Sequence, residues 1–225
     1  MIRSVIFDMD GLLLDTERLS HCAWHTALRE AGLPFIRSMF LDCRGAGRER
    51  MEALFAQHMA AYPYDLDALL ARTRELMDAV IAREGPHPKV GALTLLDWLR
   101  AHEYTLALAT STRRERAEQL MTDAGFAGHF DRMIYGDAVA RRKPAPDIFL
   151  AAQAALNRPP RECLILEDAP NGVRAAAAAG IPVVMVPDLT EPDEELSPLL
   201  AAEATTLLDI IPLLEDDRRG MEVIK

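Results

Sequence analysis

Cysteine is scarce: Cys22, Cys43 and Cys163 are an odd number at wide spacing, with no C-x-x-C pair. A disulfide framework or a thiolate zinc site is thereby excluded as the organising device, and reduced thiols are expected. No apolar run approaches the roughly 20 residues that a membrane-spanning helix needs. The N-terminus enters a strand pattern without a basic region and a following apolar segment, so no export signal is read and a cytoplasmic protein is expected. Positive charge is also in deficit, with 25 Lys and Arg against 35 Asp and Glu, a net charge of −10. That balance speaks against nucleic acid or an anionic membrane as partner, while a locally positive site for a small anion stays open. Repeats and low-complexity segments are missing too. What is left is an ordinary globular composition over 225 residues, enough for one large domain or a domain carrying an insertion.

The chain is organised around its first apolar run. Val5-Ile6-Phe7 reads as a buried strand that stops at Asp8 and Asp10, an i, i+2 pair of carboxylates followed by Gly11. In an α/β sheet, ligands bind at the carboxyl ends of strands, so the two acids stand where chemistry is expected. Two carboxylates that close repel and must be desolvated together, and a hard divalent cation such as Mg²⁺ relieves both costs. From Thr16 onward the period changes to that of amphipathic helices, over Thr16–Ala31, Arg48–Met59 and Leu66–Arg83, with breaks at Gly45, Gly47 and Tyr62-Pro63-Tyr64. This block of about seventy residues predicts a helical cap over residues 16–85, inserted into a core formed by residues 1–15 and 86–225.

After the turn cluster Gly85-Pro86-His87-Pro88, strand and helix patterns alternate. Strands are expected over Thr105–Ala109, Arg132–Tyr135, Cys163–Leu166 and Pro182–Val186. Helices are expected over Leu93–Ala101, Arg114–Ala124, Asp147–Leu156, Asn171–Ala179 and Thr206–Leu214, with Glu215–Arg219 frayed. Alternation of this kind implies right-handed crossovers and a parallel sheet covered on both faces, an α/β Rossmann-like core. Its strand ends carry Asp8 and Asp10, Thr110 and Ser111, and Glu167 and Asp168, which must gather on one side. Lys143, in the loop Arg141-Arg142-Lys143-Pro144, can reach the same edge. Acids, hydroxyls and one ammonium together suit a magnesium ion holding a phosphate.

Four segments then carry a resemblance: Asp8-Met9-Asp10-Gly11, Leu108-Ala109-Thr110-Ser111, Lys143-Pro144-Ala145-Pro146-Asp147 and Leu166-Glu167-Asp168-Ala169-Pro170. In this order and spacing they resemble the four motifs of the haloacid dehalogenase superfamily, in its branch with a helical cap after the first strand. The resemblance implies a Mg²⁺-dependent phosphatase acting on a small phosphorylated metabolite, a sugar phosphate or nucleoside monophosphate. It implies Asp8 as the nucleophile, Asp10 as the proton carrier, and Thr110 with Lys143 on the phosphoryl oxygens. Asp8, Asp168 and the backbone carbonyl of Asp10 are expected to hold the metal, with Glu167 beside it directly or through water. Ser111, Glu17 and the cap residue Arg48 are expected at the substrate, Arg48 matching an arginine that grips a distal phosphate in similar phosphoglucomutases. Those mutases carry a histidine where this chain has Ser20, which favours hydrolysis over the alternative of a phosphosugar mutase. His21 and His25 are expected to pack at the cap boundary, and Asn171 to cap the Ala-rich helix. A monomer or weak homodimer is expected.

Overall fold

Six short apolar runs line up as one parallel sheet in the computed structural model, which describes residues 1–44, 46–221 and 224. The strands are β1 (Ser4–Phe7), β2 (Thr105–Ala109), β3 (Arg132–Ile134), β4 (Cys163–Glu167), β5 (Val183–Met185) and β6 (Ala202–Glu203), in the order β3-β2-β1-β4-β5-β6. The central β1 sets the register: Phe7 lies opposite both Leu108 and Leu166. All three central strands therefore end at one level, and the polar residues that follow them share one rim. The two-residue edge strand β6 has no signal in the sequence, because so short a run shows no period.

Residues 16–84, between β1 and β2, form four helices, α1 (Thr16–Glu30), α2 (Arg37–Cys43), α3 (Arg48–His58) and α4 (Leu66–Glu84), ahead of a fifth that packs on the sheet. Their apolar faces close on one another around Trp24, Leu28, Phe40, Leu54, Phe55 and Leu69, a cluster separate from the sheet's own. The chain enters and leaves this layer side by side: Asp15 N–H donates to His87 O (2.8 Å) and Lys89 N–H to Leu13 O (2.9 Å). The helix α2 has no counterpart among the expected elements. It is seven residues long with no side-chain cap, and burial of Met39, Phe40 and Cys43 holds it rather than local propensity. The break expected at Gly45 lies outside the described residues.

Period-two alternation sorts the strand residues between two faces. Val5, Phe7, Leu106, Leu108, Leu164 and Leu166 meet α5 (Ala92–Ala101), α6 (Arg114–Asp123) and the terminal helix. Ile6, Ala107, Ala109 and Ile165 meet α7 (Asp147–Leu156) and the Ala-rich α8 (Pro170–Ala179), whose small side chains admit close approach. Both faces are thus covered, as the alternation of elements predicts. The terminal helix α9 runs Ile210–Arg218, later than expected, after a single turn at Leu207–Asp209 held by a Thr206–Asp209 capping box. Residues 215–218 are helical rather than frayed, because Asp217 accepts the Ile2 N–H at 2.7 Å and pins the helix to the start of the chain. No helix among the described residues is long and apolar enough to cross a membrane.

Candidate active site

The carboxyl rim of the sheet gathers residues from five separate segments. Asp8 follows β1, with its own N–H bonded to Leu166 O of the neighbouring strand (3.0 Å). Glu167 closes β4 and Asp168 follows it. Lys143, 135 residues away from Asp8 in sequence, donates from Nζ to Asp8 Oδ1 (2.5 Å), Glu167 Oε1 (2.6 Å) and Ala109 O (3.2 Å). Its ammonium also lies 4.6 Å from the centre of the Phe149 ring. Glu167 is held from behind as well, its Oε2 accepting the N–H groups of Asp168 (2.9 Å) and Ala169 (3.1 Å).

One carboxylate oxygen from each of Asp8, Glu167 and Asp168 lies within 4.8 Å of the others, and all three residues are buried. An all-oxygen set of this kind suits a hard divalent cation. Gly11 leaves the room: at its φ of +86° a side chain is strained, and a Cβ there would stand 2.3 Å from Asp168 Oδ2. Burial pushes the Asp8 carboxyl up to about 8 against the pull of the Lys143 ammonium, with Glu167 and Asp10 adding repulsion. Asp168 is raised well above the usual carboxylate range, first by burial and then by Glu167. Burial disfavours the Lys143 ammonium, but Asp8 and Glu167 outweigh it and raise its pKa. The centre is a concentration of negative charge answered by two side-chain cations, Lys143 and Arg44.

Asp10 is treated differently. Its carboxylate turns toward three hydroxyls, accepting from Thr16 (2.7 Å) on one oxygen and from Thr112 (2.7 Å) and Thr110 (3.3 Å) on the other. It is not among the converging acids. Thr110 is fully buried and also accepts the Thr112 N–H at 3.0 Å, so its hydroxyl stands behind Asp10. Ser111 and Thr112 line the open cavity, which measures about 310 Å³ between the rim and the four-helix layer.

Of the expected cap residues, Glu17 lies in this cavity and Arg48 does not. Arg48 points outward to Glu52 and Asp67 on the exposed side of α3. Arg44, four residues earlier, is the arginine brought to the site: its Nε donates to Glu17 Oε2 (2.9 Å) and its Nη2 to Asp168. Burial, opposed by Arg44, pushes the Glu17 carboxyl up to about 7. Asn171 does not cap α8, whose N-cap is Ala169; its amide reaches the Arg44 carbonyl at 3.5 Å. His21 packs edge-on to Phe35 and Phe40, and His25 against Phe35, contacts made within the helical layer itself.

Arg44 and Thr112 are not among the residues the sequence singles out. Thr112 had a signal, since residues two apart beyond a strand share a side with Thr110. Arg44 had none, because which of two nearby arginines faces the core depends on how the cap sits.

An α/β sheet with carboxylates on its first strand, a lysine across the rim and an inserted helical layer defines a class of hydrolase, and comparison with known proteins places the chain within it. Residues 5–186 match the haloacid dehalogenase-like hydrolase family, and the chain belongs to that family. It is 34% identical over 185 residues to the fructose-1-phosphate phosphatase YqaB of Escherichia coli, covering 81% of this chain and 95% of that one. It is 34% identical over 189 residues to a probable pseudouridine-5'-phosphatase of Drosophila melanogaster, covering 81% and 80%. The crystal structure of CbbY from Rhodobacter sphaeroides in complex with phosphate superposes with a TM-score of 0.77 at 28% identity, over 93% of this chain and 96% of that one.

Proposed function

We propose that this protein is a Mg²⁺-dependent phosphatase that hydrolyses a small phosphomonoester through an aspartyl phosphate on Asp8. The observation that carries this reading is the junction of Asp8, Lys143 and the Glu167–Asp168 acids at one rim, where Lys143 Nζ bonds Asp8, Glu167 and the Ala109 carbonyl. Asp8, Asp168 and the Asp10 carbonyl would hold the metal, with Glu167 beside it. When bound, the metal neutralises the acids and the charge of the transferring phosphoryl group. Asp8 attacks phosphorus, the alcohol departs with a proton from Asp10, and a water then cleaves the acyl phosphate while returning a proton to Asp10. Lys143 holds a phosphoryl oxygen and orients Asp8. Ser111 supplies a hydroxyl on the cavity side, while Thr16, Thr110 and Thr112 keep Asp10 aimed. Arg44 and Glu17 meet the substrate from the cap, and a cavity of about 310 Å³ limits it to a small metabolite.

Ser20, on the cavity wall, supports hydrolysis over phosphoryl return, since the similar mutases place a histidine there. The experiment is phosphate release from a panel of phosphomonoesters with Mg²⁺ and with EDTA, for the wild type and Asp8→Asn. Mg²⁺-dependent release lost in Asp8→Asn is expected. Turnover that needs added sugar bisphosphate would replace phosphatase by mutase, and release surviving Asp8→Asn would refute the nucleophile.

A further inference from the structure

The cavity's two walls differ in chemistry. The floor is polar, formed by the rim residues already described together with Arg142 and Asn171. The roof is contributed by all four helices of the inserted layer, and it is apolar: Trp24, Phe40, Cys43, Met51, Leu70 and Met77 face the cavity. Polar groups on that side are few. Glu17 and Arg44 are bonded to each other and, through Arg44, to Asp168. Ser20, one turn along α1 from Glu17 and Thr16, adds a single hydroxyl.

A polyhydroxylated sugar pressed against such a roof would leave several hydroxyls without partners, each carrying a desolvation cost. An apolar ring would instead gain burial against Trp24 and Phe40, with the flexible Met51 and Met77 side chains adapting to its outline. We propose that the alcohol released by this enzyme carries an apolar face of one ring system and few hydroxyls, its polar edge directed to Ser20 and the Glu17–Arg44 pair. The substrate class is a phosphomonoester of a primary alcohol bearing an aromatic or heteroaromatic ring rather than a monosaccharide phosphate. The inference rests on the phosphatase reading and names its leaving group.

The test compares two esters of unactivated primary alcohols, benzyl phosphate and glucose 6-phosphate, so that departure chemistry is matched and the ratio of kcat/KM reports the roof. A ratio of at least about 10 in favour of benzyl phosphate is expected, in line with the discrimination one hydrophobic pocket supplies. Met77→Gln, which keeps the length and adds an amide, is expected to narrow the ratio at least about threefold, chiefly through KM. Because that variant tests folding as well, a second measurement uses the wild type: benzylphosphonate, which has no cleavable ester oxygen, should quench tryptophan emission, and Trp24→Phe should remove the quenching. Release from both esters with glucose 6-phosphate equal or preferred, or no quenching by the phosphonate, would overturn the apolar assignment while leaving the phosphatase standing. Release from neither ester, nor from any other phosphomonoester, would overturn the phosphatase and this inference with it.

Discussion

Replacing Gly172 by alanine tests how tightly the rim is built. A Cβ at this position would stand 1.8 Å from Glu167 Oε1 and 1.9 Å from its carboxyl carbon. Carbon atoms rest at about 3.5 Å, so the carboxylate has to move by roughly 1.6 Å. It would then surrender its bond to Lys143 Nζ (2.6 Å) and strain those from the Asp168 and Ala169 N–H groups. Opening a buried ion pair costs about 3–5 kcal/mol. Against this, Gly to Ala inside a helix returns up to about 1 kcal/mol, and Gly172 lies in the first turn of α8. The net destabilisation is about 2–4 kcal/mol, a fall in Tm of about 5–15 °C for a chain of this size. Turnover should drop about 100-fold, since Lys143 and Asp8 lose their shared geometry. Thermal unfolding and phosphate release on the same preparation measure both. Gly128→Ala, where a Cβ meets nothing within 4 Å, is the control and should stay within about 0.5 kcal/mol of the wild type. A Gly172→Ala protein with unchanged Tm and turnover within twofold would refute the argument that this glycine exists to seat Glu167.

Three further outcomes follow from the same geometry. Arg44→Ala should lower stability by about 3–5 kcal/mol in a denaturant titration, because it leaves Glu17 and Asp168 buried without their cation, whereas Arg48→Ala should leave the midpoint unchanged. Thr112→Val, which removes one hydroxyl from Asp10 without changing volume, should lower kcat about 10-fold with Tm within a few degrees, read by steady-state kinetics and calorimetry. A fixed Mg²⁺ concentration of about a hundred times its Kd at pH 8 should stabilise by about 2.7 kcal/mol there, or roughly 5–10 °C in Tm, and the same concentration should stabilise less at pH 5.5. The sign follows from Asp8 and Asp168: with both raised, Asp8 to about 8, the metal-free folded state holds more protons than the unfolded chain between the usual carboxylate range and pH 8. Its stability therefore falls as pH rises through that window, and a cation that favours the ionised acids restores it. A Tm gain that is larger at pH 5.5 would contradict this.

Much of this protein is legible in its sequence alone. Apolar runs stopping at Asp8, Thr110 and Glu167 determined a parallel sheet with its chemistry on one rim, because a strand's direction dictates where its last residue points. The helical period between residues 16 and 84 showed an inserted layer of a different kind. Those signals are local, carried by spacing and side-chain type. The sequence did not determine which side chains meet across the gap between layers. Arg44 and Arg48 are one helical turn apart in number, yet Arg44 closes α2 and Arg48 opens α3, so they belong to different helices and one faces the site while the other faces solvent. Thr110 reads as a phosphate ligand beside its strand, but the depth of β2 buries it behind Asp10. Gly172 falls inside the helix expected over Asn171–Ala179, and only the fold puts Glu167 beneath it. Each of these was decided by the docking of elements distant in sequence, where burial and excluded volume choose among side chains that local pattern leaves equivalent.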